Sequence, residues 1–374
     1  MGRIKPSEEL RDLVYKCTEC GNCAIACKFL GNLEPLEIIM RLREKLVKAG
    51  FGPMPKQEEY IQSVKDFNNP YKEPHENRTD WLPKDIKIDS NAKVLYYIGC
   101  TSSYRRKEMA IAAARIMNEA RIPFNILYDE EFCCGSPILR TGELDTFKQV
   151  LNRNLDVIES KEIETIVFSC AGCYDTFKVD YPLYRNYNFE VLHTVEFFDK
   201  LLENGKIKLT EKIPIKVTYH DPCHLGRNAE RYEEWDGEEV HIMPLITMNI
   251  PPKPKRTGKR GIYDPPRNIL KKIPGLKLVE MERIREYAYC CGAGGGVKSA
   301  FPEMALDTAK LRIEEAEDTG AEVIVSACPF CSTNLQDGIN SRGSNLKYYD
   351  ISELLLMAMG LEPEKLKHIL SEVD

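Results

Sequence analysis

The sequence lacks the marks of several common classes of protein. No uninterrupted apolar run approaches the roughly 18 residues that a membrane-spanning helix requires. The first residues contain no apolar segment of the kind found in a secretory signal, and Pro6 breaks the myristoylation pattern. No GxGxxG motif opens a helix after a strand with an acidic residue about 20 positions later. We therefore expect neither a membrane span nor a flavin or nicotinamide site in this sequence.

An excess of basic charge is also missing, since 52 Lys and Arg residues stand against 58 Asp and Glu residues, a formal net charge of −6. This balance gives no reason to expect a nucleic-acid partner. The 374 residues, of which 43% are hydrophobic, are enough for two or three domains with cores of their own.

Cysteine, in contrast, is abundant. Without an export signal, fourteen cysteines are not expected to form a disulfide framework. They fall into groups of four, five and five with none left over, which is typical of soft-metal ligation and predicts iron–sulfur sites. The groups are Cys17, Cys20, Cys23 and Cys27; Cys100, Cys133, Cys134, Cys170 and Cys173; and Cys223, Cys290, Cys291, Cys328 and Cys331.

The first group has the spacing C-x2-C-x2-C-x3-C, the ferredoxin-type run that binds a [4Fe–4S] cubane. A zinc site would need only C-x2-C pairs and would leave the third and fourth positions unexplained. In two-cluster ferredoxins the fourth Cys serves the other cluster and is followed by Pro, whereas here Lys28 follows Cys27 and no second run occurs. Two interpretations of Cys27 stay open: it binds the same cluster as the other three, or a partner chain completes the site.

The rest of the N-terminal segment is expected to connect this site to the main body. Apolar residues at helical spacing predict a helix from Leu36 to Ala49. Pro, Asn and charged residues dominate 51–92, which predicts an extended linker between an iron–sulfur domain at 1–50 and the remainder, with Trp81 contacting a neighbour.

Strand and helix patterns then alternate in two large units, 93–210 and 211–374. Short apolar runs at 93–100, 165–170, 215–220 and 322–327 each lead into cysteines, and helices are predicted at 107–120, 144–158 and 304–317. This alternation predicts α/β units with mostly parallel sheets, and ligand residues at the ends of the strands. A further strand is expected at 124–127.

The two units are copies of one pattern, C … CCG … CxxC. The gap from the glycine to CxxC is 34 residues in the first copy and 35 in the second, and each copy ends with a similar segment before its last helix. A tandem duplication is therefore predicted. The second copy has 66 residues between its lone Cys and its pair, against 32 in the first, so an insertion is expected at about 229–260. It is either a partner-docking hairpin or lid, or an inert surface insertion.

Cys290 and Cys291 begin a glycine-rich loop that ends at Gly296. Adjacent cysteines form a strained disulfide, because their Cα atoms are only about 3.8 Å apart, but they deliver two thiolates to one metal site. We expect Gly292, Gly294 and Gly295, with Gly135 in the first copy, to let backbone N–H groups approach the inorganic sulfides. A phosphate-binding loop is disfavoured because no Lys-Ser/Thr pair follows.

These motifs carry a family resemblance. The doubled pattern resembles the CCG domains of the heterodisulfide reductase family, and with the ferredoxin-type run it resembles the HdrD type and its relative DsrK. The chain departs from the family in having one ferredoxin-type run instead of two, and in its insertion. The segments closest to the family signature are Asp221–Arg227, Tyr263–Arg267, Cys290–Gly296 and Cys133–Gly142.

The resemblance implies a small α-helical ferredoxin-like domain followed by two Rossmann-like CCG domains. It also implies that each five-cysteine set holds a noncubane [4Fe–4S] cluster, with zinc or nothing as alternatives in the first copy. The expected function is an iron–sulfur oxidoreductase subunit that passes electrons from a flavoprotein, ferredoxin-type or membrane cytochrome partner to a disulfide or trisulfide. An anaerobic cytoplasmic location is expected, either free or on the inner face of the membrane through a partner.

The reacting groups are predicted at the cleft between the two copies. Cys223, Cys290 and Cys291 would form the reacting metal site, and His224 is the candidate proton donor to the leaving thiolate. A purely structural hydrogen bond is the competing interpretation of His224. Arg227, Arg267 and Lys298 would bind an acidic substrate group or make salt bridges instead.

Two rival functions are retained. One is an electron-relay subunit of a hydroxy-acid dehydrogenase or a benzoyl-coenzyme A reductase, with no substrate of its own. The other is a non-catalytic assembly module in which both CCG units hold zinc.

Overall fold

The computed structural model describes residues 4–30, 33–243 and 246–371. The N-terminal part is helical, and its third helix confirms the one predicted at 36–49. Ser7 caps the first helix by accepting a hydrogen bond from the backbone N–H of Leu10 at 3.1 Å. The helices are α1 (Glu8–Tyr15), α2 (Asn22–Leu30), α3 (Pro35–Lys48) and α4 (Pro55–Phe67).

The segment 51–92 is not the extended linker that its composition predicted. Helix α4 occupies a third of it, and a 3₁₀ turn follows at His75–Thr79. Pro55 lies at the first helical position, where proline starts a helix rather than breaking one. Ile61, Val64 and Trp81 are buried, and the Trp81 ring meets Tyr96 edge-on at 6.2 Å. The segment is therefore packed onto the first CCG unit. The sequence predicted such a contact for Trp81 but not for the rest of the segment.

The first CCG unit has a three-stranded parallel sheet in the order β1-β2-β3. The strand expected at 124–127 is reduced to a single bridge from Asn125 to Leu95. The elements are β1 (Val94–Tyr97), α5 (Cys100–Tyr104), α6 (Lys107–Glu119), α7 (Ser136–Leu139), α8 (Leu144–Glu159), β2 (Thr165–Phe168), α9 (Ala171–Asp175), β3 (Glu190–His193) and α10 (Thr194–Glu203).

The second unit repeats this plan with a parallel sheet in the order β7-β4-β8-β9, in which β7 takes the place of the Asn125 bridge. The elements are β4 (Lys216–Tyr219), β5 (Glu238–Met243), β6 (Ile246–Ile250), α11 (Asp264–Lys272), β7 (Lys277–Leu278), α12 (Val297–Ala300), α13 (Pro302–Asp318), β8 (Val323–Ser326), α14 (Pro329–Arg342), β9 (Lys347–Asp350), α15 (Ile351–Ala358) and α16 (Pro363–Ser371). The α/β class and the internal repeat are both confirmed.

Even the ends of the two copies match. His193 caps α10 through Nδ1, and Asp350 caps α15 through Oδ1; in each case a Glu three residues later completes a capping box. The copies then pack together, α6 against α15 and α10 against α11. One continuous apolar core runs through both. The insertion forms an antiparallel hairpin, β5-β6.

Candidate metal centre

The ten CCG cysteines gather at one edge of the two sheets. Cys100, Cys170, Cys223 and Cys328 each follow the carboxyl end of a parallel strand, where open α/β sheets bind ligands. The vicinal pairs and the second Cys of each CxxC come to the same edge. Eight of the ten are buried, and Cys170 and Cys223 are partly buried.

Neighbouring thiols influence one another's pKa in the same order in both copies. The first set runs Cys100–Cys133–Cys134–Cys173–Cys170. The second set runs Cys223–Cys290–Cys291–Cys331–Cys328. The duplication therefore extends from the sequence pattern to the arrangement of the side chains.

Two further thiol contacts join the three cysteine groups. Cys170 of the first set lies close enough to Cys328 of the second, across the seam between the copies, for each thiol to shift the pKa of the other. Cys20 of the ferredoxin-type run interacts with Cys290 in the same way. The second set thus lies between the N-terminal run and the first set.

A cavity of about 740 Å³ opens at this seam. Nine of the ten CCG thiols line it, all except Cys290, together with His224. Lys56, Lys72, Arg105, Arg106, Arg140 and Lys298 also line it, against one acidic residue, Glu59. The cavity therefore combines soft sulfur ligands with a positively charged rim.

The charge state of the thiols indicates what such a set binds. Hydrogen bonding to neighbouring thiols and burial raise the pKa of Cys100, Cys223 and Cys331 well above its usual value. Hydrogen bonds from two thiols each lower the pKa of Cys134 to about 6 and that of Cys328 well below its usual value. Ten neighbouring thiolates would repel one another. Full deprotonation needs cations among the sulfurs, and soft iron fits this donor set.

The ferredoxin-type run forms a compact group beside the second set. Cys17 and Cys20 lie on the loop before α2, and Cys23 and Cys27 lie one turn apart on it. The thiols of Cys17, Cys23 and Cys27 are close enough to Cys20 or Cys23 to interact electrostatically. Of the fourteen cysteines, all of which the structure describes, Cys23 alone is exposed. The run therefore has one edge at the surface and the other at Cys290.

Two glycines of the glycine-rich loop, Gly294 and Gly295, line the cavity and also pack against the cysteine loop. A Cβ on Gly294 would lie 2.4 Å from the carbonyl oxygen of Thr18, and one on Gly295 would lie 2.5 Å from that of Cys17. These glycines are needed because the cysteine loop packs directly on them. Cys290 Sγ also donates to Thr18 Oγ1 at 3.5 Å.

Gly135 and Gly292 lie next to the first thiol of each vicinal cysteine pair. Both have positive φ, +83° and +89°. Their N–H groups donate to the first thiol of each pair, Cys133 Sγ at 3.4 Å and Cys290 Sγ at 3.2 Å. Approach of these N–H groups to inorganic sulfide stays a prediction.

Arg43, which sequence reasoning missed, fastens the N-terminal run to both copies. Its fully buried guanidinium donates to the carbonyl oxygens of Arg140 at 2.6 Å, Gly295 at 2.7 Å and Cys17 at 2.6 Å, and pairs with Glu19 at 2.9 Å. No local pattern distinguishes it from the other polar residues of α3.

His224 lies in the cavity wall and pairs with Asp175 of the other copy through Nδ1. Asp175 also accepts a hydrogen bond from Arg140 at 3.0 Å. Burial acts to raise the pKa of Asp175, but the positive charges of His224 and Arg140 outweigh it and lower this pKa. Asp175 is thus an ionised partner for the imidazole. Sequence reasoning missed it, although it follows Cys173 by two residues.

Two of the three predicted anion-binding cations are structural. Arg227 is buried and donates to the carbonyl oxygens of Cys20 at 2.6 Å and Ala288 at 2.7 Å. Arg267 is buried in ion pairs with Asp221 and Glu280, both at 2.7 Å. Of these three predicted residues, Lys298 is the one that lines the cavity.

Arg78 and Glu131 are further residues that the sequence did not reveal. Arg78 comes from the segment predicted as a linker, and its Nη1 donates to Cys100 Sγ at 3.6 Å. Arg78 also pairs with Glu131 at 2.5 Å. The Glu131 carboxylate accepts hydrogen bonds from the N–H groups of Ile98 and Gly99. The first set therefore has a buried cation at its lone cysteine.

Two copies of a parallel-sheet unit with five clustered thiols each define a protein of the CCG class. The family model described as CCG, cysteine-rich domain, matches residues 94–178 and 217–336. No helix in the described ranges is long and apolar enough to cross a membrane.

Comparison with similar proteins identifies the family within this class to which the chain belongs. The chain is 38% identical to the HdrD-type component of dihydromethanophenazine:CoB–CoM heterodisulfide reductase from Methanosarcina acetivorans, over 96% of this chain and 80% of that protein. It is 31% identical to a component of the fumarate reductase (CoM/CoB) of Methanothermobacter marburgensis, over 92% and 61%. It is 29% identical to an EtfAB:quinone oxidoreductase of Syntrophomonas wolfei, over 93% and 47%. The chain belongs to the HdrD family of heterodisulfide reductase components and is an iron–sulfur electron-transfer subunit.

Proposed function

We propose that this subunit takes electrons from a redox partner and delivers them to a disulfide or trisulfide bound in the cavity between its CCG units. One observation carries the proposal: nine thiols from both copies line a single cavity of about 740 Å³ together with six basic side chains and one acidic one, so a disulfide with acidic groups would be attracted to the proposed metal sites themselves.

The residues that would hold the metal groups follow from the three clusters of thiols. Cys17, Cys20, Cys23 and Cys27 would hold a [4Fe–4S] cubane, and the closeness of Cys27 to Cys23 supports it as the fourth ligand. Each five-cysteine set would hold a noncubane [4Fe–4S] cluster. Such groups supply electrons one at a time when bound.

Reduction of a disulfide consumes two electrons and two protons, breaks one S–S bond and leaves two thiols. His224 is placed to deliver one of these protons. With Nδ1–H donated to Asp175, its Nε2 is left to carry a proton toward the leaving thiolate, and the Asp175 carboxylate stabilises the charged imidazole. Asp175 therefore acts by orienting His224 rather than by touching the substrate.

The rim of the cavity favours a substrate with acidic groups. Lys56, Lys72, Arg105, Arg106 and Lys298 line the cavity. Several have carboxylate partners, such as Lys298 with Asp337 at 2.6 Å, yet the lining as a whole is positive. A carboxylate, sulfonate or phosphate on the disulfide would be attracted to it.

Electron entry is proposed at the exposed Cys23 edge. The contacts Cys20–Cys290 and Cys328–Cys170 give the three groups the order N-terminal run, second set, first set. The partner would be a flavoprotein, ferredoxin-type or cytochrome subunit. The cytoplasmic location expected from the sequence stays a prediction.

The insertion supports the docking interpretation. Val240, Ile242, Met248 and Ile250 share one face of the hairpin and are 37–53% exposed. A lone two-stranded hairpin with an exposed apolar face is marginal in water and typical of a protein-binding surface. After the hairpin the chain returns to α2, where a Cβ on Gly258 would lie 2.6 Å from Ile25, so we place the bound partner on the Cys23 side of the molecule.

The test is anaerobic analysis of iron and acid-labile sulfide, followed by viologen-linked reduction of small disulfides. We expect about four irons per cluster and oxidation of viologen that depends on the disulfide. Stoichiometric zinc with little iron would make the chain an assembly module instead.

A second candidate is the relay without a substrate. It is favoured by the similarity to the component of fumarate reductase (CoM/CoB) and to the EtfAB:quinone oxidoreductase. Full iron content with no turnover of any small disulfide would establish it over the first proposal.

A further inference from the structure

His220 is a buried histidine that the mechanism above does not use. It follows β4 and is 1% exposed. Its Nδ1 accepts a hydrogen bond from Nε of the buried Arg312 at 3.1 Å. Its Nε2 is fully buried and has no hydrogen-bond partner among the residues that the structure describes.

The contact with Arg312 determines which ring nitrogen carries the proton. Arginine has only donors, so Nδ1 must offer a lone pair to it. A neutral imidazole then has its single proton on Nε2, which makes Nε2–H a donor without an acceptor. A buried donor left unpaired costs about 1–3 kcal/mol, so an acceptor is expected at this position.

Two sulfurs of the second cysteine set are candidate acceptors. A ring nitrogen of His220 and the sulfurs of Cys291 and Cys331 all lie within 4.8 Å of one another. Cys291 and Cys331 line the cavity and His220 does not. His220 therefore lies behind the thiols, away from the substrate.

We propose that His220 is a positioning residue that donates an Nε2–H hydrogen bond to a sulfur of the metal centre held by the second cysteine set, and that it is not a metal ligand. This rests on the proposed function. Because a hydrogen bond to sulfur stabilises the more negative, reduced state, His220 raises the reduction potential of that centre.

The two copies differ at this point. The residue that follows β1 is Ile98, which has no side-chain donor. The first set has the Arg78 guanidinium at Cys100 instead. His220 thus gives the second centre a potential of its own, set independently of the first.

The first experiment compares wild type, His220→Leu and His220→Gln as anaerobic holoproteins by potentiometric EPR titration. We expect His220→Leu to keep its iron and sulfide and to shift one midpoint potential to a more negative value. His220→Gln, whose amide N–H can replace Nε2–H, should return toward wild type, and His241→Leu on the exposed hairpin should show no shift. Unchanged potentials in an iron-replete His220→Leu protein would overturn the proposal.

A second measurement needs no variant of His220. In wild type labelled with ¹⁵N-histidine, pulsed EPR should show a weakly coupled nitrogen and a proton that exchanges in D₂O. A strongly coupled, directly bound nitrogen would show ligation and overturn the proposal, as would the absence of any histidine coupling. Failure of the proposed function itself would appear differently, as absence of disulfide turnover in an iron-replete protein whose His220 coupling is intact.

Discussion

At the scale of single residues, the chemistry depends on contacts that cross from one copy to the other. His224 and Asp175 are 49 positions apart and belong to different copies, yet they form one pair in the cavity wall. The pair supplies what either interpretation of His224 requires, because a structural hydrogen bond and an oriented proton donor use the same contact. Only turnover distinguishes the two.

We expect His224→Asn to lower kcat for viologen-linked disulfide reduction by about 100-fold, the usual effect of losing a general acid. The iron content should not change. The control is His241→Asn, which alters an exposed histidine on the hairpin and should behave as wild type. Full turnover with an unchanged pH profile in His224→Asn would remove His224 from the mechanism.

Arg43 provides a test of how the N-terminal run is held. Arg43→Met leaves the buried Glu19 carboxylate without its partner and removes hydrogen bonds to three backbone segments. We expect a loss of about 3–5 kcal/mol in the free energy of unfolding, measured by denaturant titration.

Arg41→Met is the matched control, since Arg41 lies on the same helix, is 71% exposed and pairs with Glu44 at the surface. It should change stability by less than about 0.5 kcal/mol. Equal effects of the two substitutions would contradict the role of Arg43.

At the scale of elements, two glycines bring the cysteine loop and the glycine-rich loop into contact. The glycine run is predicted to make room for a metal cluster, and at Gly294 and Gly295 it also makes room for the backbone of Cys17 and Thr18. The contact joins the entry site to the second cysteine set.

We expect Gly294→Ala to separate these loops, because its Cβ would lie 2.4 Å from the Thr18 carbonyl oxygen. Electron transfer from the N-terminal site to the CCG sites should slow at least tenfold, as seen by freeze-quench EPR after mixing with a reductant. Gly205→Ala, where a Cβ meets nothing within 4 Å, should transfer electrons at the wild-type rate. Wild-type transfer in Gly294→Ala would mean that this contact is not the route.

The hairpin gives a second test at this scale. We expect Ile242→Thr with Met248→Thr to weaken binding of the electron-donating partner by about tenfold or more, which is about 1.4 kcal/mol, while viologen-linked activity stays unchanged. Both changes preserve strand propensity. Calorimetric titration with the purified partner measures the affinity.

The polar-face variant His241→Thr is the control for the hairpin and should bind normally. Unaltered binding by the double variant would identify the insertion as inert, the interpretation that competed with docking.

At the scale of the whole molecule, the metal sites and the fold are expected to depend on each other. The ten CCG thiols lie where the two sheets and the cavity meet. Metal cations bound there would neutralise the thiolates at the contact between the two copies. We expect anaerobic removal of iron by a chelator to lower the melting temperature of the chain by at least 5 °C, because a ligand bound only by the native state stabilises it. Scanning calorimetry measures this, and equal melting temperatures of the two forms would contradict it.

The sequence by itself determined the local features of the molecule. The three groups of cysteines, the duplication and the alternation of strands and helices all follow from spacing along the chain, and the structure and the similar proteins confirm the fold class and the family. These features depend on neighbours in sequence, for which periodicity is a direct signal. Composition, a weaker signal, was misleading at 51–92, where prolines at the start of α4 imitate a linker.

Tertiary structure alone decided which distant residues meet. That Cys328 meets Cys170, that Cys20 meets Cys290, and that Asp175 meets His224 depend on how two sheets and the N-terminal helices pack together. The burial of Arg43, Arg227 and Arg267 depends on it too, and it turned two predicted substrate-binding cations into structural ones. A spacing pattern records the face on which a residue lies, but not what packs against that face, and this second fact sets the chemistry of the cavity.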